Sequence, residues 1–149
     1  MSRNSSGFGD VLWAIAQAGL VLGTAYMSEK IEEEKMDQLL ALPQQDALVV
    51  IARSVPPMDN TVWQQFQSRL QRRAVYSDEA KLLLYFAQCI VRAEHEVQQL
   101  LQYSMSDAIE IIASLLPNKD DFERLALLVG LQSSNNVKAR AILGRMLNG

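Results

Sequence analysis

The chain has little of what turn-rich and disulfide-linked folds require. Its 149 residues include only 7 glycines, 4 prolines and 1 cysteine, and Thr24 and Thr61 are its only threonines. Glycine and proline fall below their ordinary usage, and β-branched threonine is typical of strands. Leucine, alanine and glutamine, which favour helices, make up a third of the chain. This composition excludes an all-β, collagen-like, low-complexity or disulfide-rich domain and predicts an all-α fold.

Residue types that build catalytic and metal sites are equally scarce. Cys89 is the only cysteine and His95 the only histidine, so no second thiol or imidazole stands at ligand spacing. Six residues apart on a helix, these two side chains face different directions, which argues against a Cys–His catalytic pair. The sequence also lacks a glycine-rich phosphate loop, a nucleophile elbow and an EF-hand loop. We therefore predict a protein that is not an enzyme and that needs no metal and no cofactor.

Prolines and capping residues divide the chain into helices. Residues 1–9 predict a flexible tail, and residues 10–149 predict one all-α domain. Pro43, the pair Pro56-Pro57 and Pro117 mark helix boundaries, because proline interrupts helical hydrogen bonding. The polar residues predicted to cap the following helices are Asp59 or Asn60, Ser77, Ser104 and Asn118. Together these signals predict a compact bundle or short solenoid-like array of six to eight helices.

A Leu-Pro-x-x-Asp motif occurs twice, at residues 42–46 and 116–120. Each copy follows one helix and precedes a short apolar helix, a polar turn and a last helix. This order predicts a weak two-fold internal repeat with sub-repeats 10–75 and 77–149. Chance similarity between helical hairpins is the alternative interpretation.

Residues 11–27 form the most apolar stretch of the chain, and three interpretations of it stay open. It is a buried or self-associating helix, a membrane-associated segment, or a cleaved signal peptide. We favour the first, since about 20 apolar residues are needed to cross a membrane. Two glycines inside a helix cost roughly 1 kcal/mol each relative to alanine, a cost that a close contact must offset. The predicted interaction face consists of Trp13, Gly19, Leu20, Gly23 and Met27.

Acidic and basic residues are segregated along the chain, although the net charge is only −3. Residues 29–46 and 94–123 are predominantly acidic, whereas residues 60–77 and the chain from Arg124 onward carry bases and no acid. A near-neutral total argues against a global field that would draw the protein onto nucleic acid or anionic lipid. Any such binding must therefore be local.

Arginines cluster on the helix that follows Asp59. Arg69 and Arg73 are four residues apart and share a face, and Arg72 adjoins them. The favoured interpretation is a solvated face that pairs with acidic helices of the same molecule or of a partner. The alternative is a phosphate or nucleic-acid contact that includes the C-terminal bases. Its candidate residues are Arg69, Arg72, Arg73, Lys138, Arg140 and Arg145.

The sequence thus predicts a non-enzymatic protein–protein interaction module, an adaptor or a subunit of a larger assembly. We expect it to be cytoplasmic and to bind another protein or itself, with self-association through the apolar N-terminal helix. Two other interpretations remain. One is a membrane-associated factor tethered by residues 11–27, and the other is a nucleic-acid-binding helical module that uses the arginine cluster and the C-terminal bases.

Overall fold

The protein is all-α, which confirms the predicted fold class. The computed structural model describes residues 33–148, and this part of the chain contains seven α-helices, one short 3₁₀ helix and no β-strand. The tail at residues 1–9 and the apolar segment at residues 11–27 lie outside the described residues. The helices are α1 (Glu33–Ala41), α2 (Gln44–Ser54), α3 (Asn60–Ala74), α4 (Asp78–Leu100), α5 (Met105–Leu115), the 3₁₀ helix (Leu116–Asn118), α6 (Asp121–Ser133) and α7 (Val137–Asn148).

The chain divides into two compact units, and the division falls inside α4. The first unit ends at Gln88 and the second begins at Cys89, so α4 contributes to both. The single domain over residues 10–149 and the sub-repeats 10–75 and 77–149 stay predictions.

Local side chains set several of the helix starts. In three helices, an oxygen of the residue before the first turn accepts a hydrogen bond from the backbone amide three residues on. The pairs are Asp59 with Val62 at 2.8 Å, Ser77 with Ala80 at 3.1 Å and Ser104 with Asp107 at 3.1 Å. Each bond satisfies an amide that has no partner within its own helix. The caps predicted at Asp59, Ser77 and Ser104 are confirmed.

The predicted cap at Asn118 was wrong. After Pro117 the backbone completes a 3₁₀ turn that includes Asn118, and this turn delays the start of α6. The cap is Asp120, whose Oδ1 accepts from the Glu123 amide at 2.8 Å, while Glu123 Oε1 accepts from the Asp120 amide at 2.9 Å. This reciprocal pair satisfies two amides at once and starts α6.

In the first unit, α1 packs against both α2 and α3. It contributes Met36 and Leu39, both fully buried. Helix α2 is buried on nearly every side, with all residues from Ala47 to Ala52 in the core. From α3 the core receives side chains four residues apart, as one helix face requires. These are Phe66, Leu70 and Ala74.

In the second unit, α6 occupies the buried position, and α7 packs against both α5 and α6. Every residue of α6 from Leu125 to Gly130 is buried. A Cβ added at Gly130 would lie 3.2 Å from Val97 Cγ2 and 3.5 Å from the Ala93 carbonyl oxygen on α4. The glycine therefore permits close packing of α6 on α4. The core of this unit comprises Val97, Leu100, Ala108, Ile112, Leu127, Leu131, Ala139 and Ile142.

Candidate functional site

The arginine cluster on α3 meets the acidic face of α1. Arg73 Nη2 lies 2.8 Å from Glu33 Oε1, and Arg73 Nη1 lies 2.5 Å from Asp37 Oδ1. Arg69 also hydrogen-bonds to Glu33. Arg72 lies further away, with its Nη2 at 3.6 Å from Glu33 Oε2. The segregated charges in residues 29–46 and 60–77 therefore meet within one molecule.

These contacts shift the titration of both partners. Hydrogen bonds from Arg73 and then Arg69 lower the pKa of Glu33 below its ordinary value. The same carboxylate, followed by Asp37, raises the pKa of Arg73. Each charged form stabilises the other, as expected for charge-assisted hydrogen bonds.

The three arginines differ in how free they are to bind anything else. Arg73 and Arg69 have side chains that are 17% and 29% exposed, whereas Arg72 is 67% exposed. Beside them lies an open, shallow depression of about 430 Å³ that is lined by Gln64, Gln65, Ser68, Arg69 and Arg72. A phosphate that used all three arginines would have to displace Glu33 and Asp37. The phosphate or nucleic-acid contact stays a prediction.

The C-terminal bases Lys138, Arg140 and Arg145 belong to the second unit, and they differ from one another in their contacts. Lys138 Nζ donates to the carbonyl oxygens of Leu101 at 3.1 Å and Tyr103 at 2.6 Å, just beyond the end of α4. Arg140 and Arg145 are exposed, and neither has an acidic side chain within 4 Å among residues 33–148. Of the three predicted basic contact residues in this unit, Lys138 makes hydrogen bonds within the fold. Arg140 and Arg145 make no ion pair among the described residues.

An apolar groove of about 200 Å³ opens between α5 and α7 in the second unit. Ile112 and Ile142 form its buried floor, at 3% and 0% exposure. Ala113 and Arg145 are exposed at its rim. The full lining is Ile109, Ile112, Ala113, Leu116, Ile142, Arg145 and Met146. We call this feature the α5–α7 groove.

The size and lining of the α5–α7 groove limit what it can hold. Pockets for drug-sized ligands and cofactors occupy roughly 300–1,000 Å³, which is larger than this groove. A closed apolar cavity of about 150 Å³ accepts a benzene-sized group. The volume of the groove is close to that of one large apolar side chain, and Arg145 is the one charged residue in its lining.

Sequence reasoning identified Arg145 but missed the apolar lining beside it. Ile109, Ile112 and Leu116 are three and four residues apart, the spacing of one helix face, and this signal was available. The opposing face on α7 could not be found from the sequence, because only packing brings Ile142 and Met146 opposite α5. Apolar residues that line a groove also have the same helical spacing as apolar residues that are fully buried.

Other titratable groups of the second unit lie apart from the α5–α7 groove lining, which holds Arg145 as its one charged residue. Within residues 33–148 there is no group of three His, Cys, Asp or Glu side chains that could hold a metal. Burial alone raises the pKa of Glu94 to about 7. Cys89 is buried, as predicted, and Arg92 Nη2 lies 3.3 Å from its Sγ. Lys119 Nζ pairs with Glu96 at 3.0 Å and joins the 3₁₀ turn to α4.

The predicted N-terminal interaction face lies outside the described residues. It comprises Trp13, Gly19, Leu20, Gly23 and Met27. Among the helices of residues 33–148, none combines the length and the apolar character needed to cross a membrane. Comparisons with protein-family models, with curated proteins and with solved structures gave no match.

Proposed function

We propose that the protein is a non-enzymatic protein–protein interaction module, an adaptor or a subunit of a larger assembly. The observation that supports this proposal is the α5–α7 groove, an apolar surface with one unpaired cation at its rim in the described part of the chain. Apolar grooves between helices commonly receive the apolar face of a partner's helix. A few anchoring side chains in desolvated pockets often contribute most of the binding energy.

The chemistry of the rim specifies the partner further. A partner that inserts an apolar side chain between Ile112 and Ile142 brings its neighbouring residues close to Arg145. A carboxylate at that position forms a charge-assisted, bidentate pair with the guanidinium. The partner is therefore an apolar segment that carries an acidic residue.

Site-specific photo-cross-linking tests this function directly. A photoreactive amino acid replaces Ala113 at the groove rim, and in a matched control it replaces Ala41, an exposed alanine on α1 in the first unit. We expect the residue at position 113 to capture a defined protein in cells and the residue at position 41 to leave that protein uncaptured. Capture of nothing from position 113, or of the same products from both positions, would contradict the proposal.

The nucleic-acid alternative has a separate test at Arg72, the most exposed member of the cluster. Charge reversal by Arg72→Glu removes that contact while Arg69 and Arg73 keep their acidic partners. We expect salt-sensitive retention on nucleic acid to be weak and unchanged by this substitution. A clear loss of retention in the variant would favour the nucleic-acid function instead.

A further inference from the structure

We infer that the α5–α7 groove receives the apolar N-terminal segment of a second copy of this chain, with Trp13 in the groove and Asp10 on Arg145. This inference rests on the proposed function and names the partner. The α5–α7 groove would then be the surface through which the predicted self-association of residues 11–27 takes place.

The groove offers one cation beside an apolar surface. Arg145 is the one charged residue in its lining. Ile142 precedes it on α7 by three residues, so the guanidinium and the apolar floor are about one helical turn apart. Several other bases of residues 33–148 are already engaged, for example Arg73 with Glu33 and Lys119 with Glu96. A segment that matches the α5–α7 groove therefore carries one carboxylate about one helical turn away from a bulky apolar side chain.

The N-terminal segment supplies that combination. Asp10 is the only charged residue between Phe8 and Ser28. Trp13 follows it by three residues, so in the predicted helix the carboxylate and the indole are also about one turn apart. Leu20 and Met27 repeat the position of Trp13 at intervals of seven residues and extend the same face. An indole is somewhat larger than benzene, which agrees with a groove of about 200 Å³.

Charge complementarity favours this segment over the acidic stretch that follows it in the chain, residues 29–37. Residues 29–37 carry several acidic side chains, of which Glu33 and Asp37 are already paired with Arg73. That stretch has no large aromatic side chain beside its acids. Asp10, in contrast, is a single acid at the start of the apolar stretch 11–27. A second copy provides this segment at the same concentration as the groove.

A charge-swap cycle measured by sedimentation tests the inference on the full chain. We expect the wild-type protein to form a dimer. Asp10→Lys and Arg145→Glu should each weaken the dimer by on the order of tenfold or more, because each places like charges together. The doubly substituted protein should recover most of the lost affinity. Trp13→Ala should weaken the dimer through loss of the anchor.

The control is Arg140→Glu, which reverses an exposed charge on the same helix outside the groove and should leave the dimer unchanged. A monomeric wild-type protein, or a double variant no better than either single variant, overturns the inference. Cross-linking from position 113 separates the two proposals. Capture of a different protein and not of a second copy would overturn this inference but leave the proposed function standing. If the cross-linker at position 113 captured no protein, both the proposed function and this inference would be overturned.

Discussion

In the first unit, α1 leads through Leu42-Pro43 into the buried α2 and then, after a polar turn, into α3. In the second unit, α5 leads through Leu116-Pro117 into the buried α6 and then into α7. In both, the first and third helices contact each other. The two units differ in what those helices present. Acidic α1 and basic α3 hold each other by ion pairs, whereas α5 and α7 border an apolar groove.

The same order of helices therefore presents two different surfaces, one charged and one apolar. In the first unit, the outer helices carry opposite charges, and Arg73 of α3 pairs with Glu33 and Asp37 of α1. In the second unit, Arg140 and Arg145 of α7 have no acidic side chain within 4 Å among the described residues. An apolar groove opens there between α5 and α7. Under the proposed function, the first unit has a structural role and the second unit binds the partner. The predictions below test that assignment.

The largest effect is expected from the core of the first unit. Phe66 is fully buried on α3, the helix that carries the arginines. Phe66→Ala should lower the free energy of unfolding by about 3–5 kcal/mol, because it removes apolar contacts and leaves a cavity. Urea denaturation measures the loss. Gln71→Ala, an exposed change on the same helix, should cost less than about 0.5 kcal/mol. A loss at Phe66 no larger than the loss at Gln71 would contradict a core contribution from Phe66.

A half-buried carboxyl group in the second unit should give an effect that depends on pH. Burial raises the pKa of Glu94 to about 7 from an ordinary value of 4.5, so folding penalises its charged form. The penalty is absent below pH 4.5, grows as the pH rises and is complete above pH 7. After a discount for its partial exposure, Glu94→Gln should stabilise the protein by about 1–2 kcal/mol at pH 8 and hardly at pH 4.

Thermal or urea unfolding of the Glu94→Gln protein at the two pH values measures this difference. Glu110→Gln, an exposed change on α5, is the control and should alter stability little at either pH. A stabilisation by Glu94→Gln that is the same at pH 4 and pH 8 would contradict the assigned cause.

Two glycines of the second unit should respond in opposite directions to the same substitution. A Cβ at Gly130 would press on Val97, whose branched side chain has little rotational freedom in a helix, so Gly130→Ala should destabilise by about 1 kcal/mol. A Cβ at Gly144 meets no atom within 4 Å, so Gly144→Ala should stabilise by about 0.5–1 kcal/mol through helix propensity. Denaturation midpoints compare the pair, and equal signs would refute the packing argument.

The smallest effect is expected from the ion pairs of the first unit. Because its arginine partners lower the pKa of Glu33, that carboxylate stabilises the fold above pH 4.5, and the contribution disappears as the pH falls through the lowered value. Glu33→Gln should therefore lower the melting temperature at pH 7, and the difference should shrink as the pH falls through the lowered pKa of Glu33. Added salt should shrink the difference at pH 7. A salt-independent loss would mean that Glu33 acts by packing.

Helix boundaries were largely predictable because their causes are local. Proline interrupts a helix wherever it stands, and a short polar side chain caps the turn that follows it. Asp59, Ser77 and Ser104 act in this way. The failure at Asn118 is also local, since the chain inserted a 3₁₀ turn that the simple spacing rule does not include.

The candidate site was predictable only in part. The interpretation of the arginines as partners of acidic helices followed from charge alone, but their partners stand 36 and 40 residues away in the sequence. The partial burial of Glu94 and the groove between Ile112 and Ile142 have no counterpart in the local sequence. Each depends on which helix packs against the helix that carries these residues.

The sequence by itself determined that this protein is helical and where most of its described helices begin and end, since propensity, proline and capping act over a few residues. It also determined which segments are acidic and which are basic. Only the tertiary structure decided that Arg73 is held by Glu33 and Asp37 and that Arg145 stands at an apolar groove. The reason is physical: pairing and burial depend on contacts between helices far apart in the chain, and those exist only after packing.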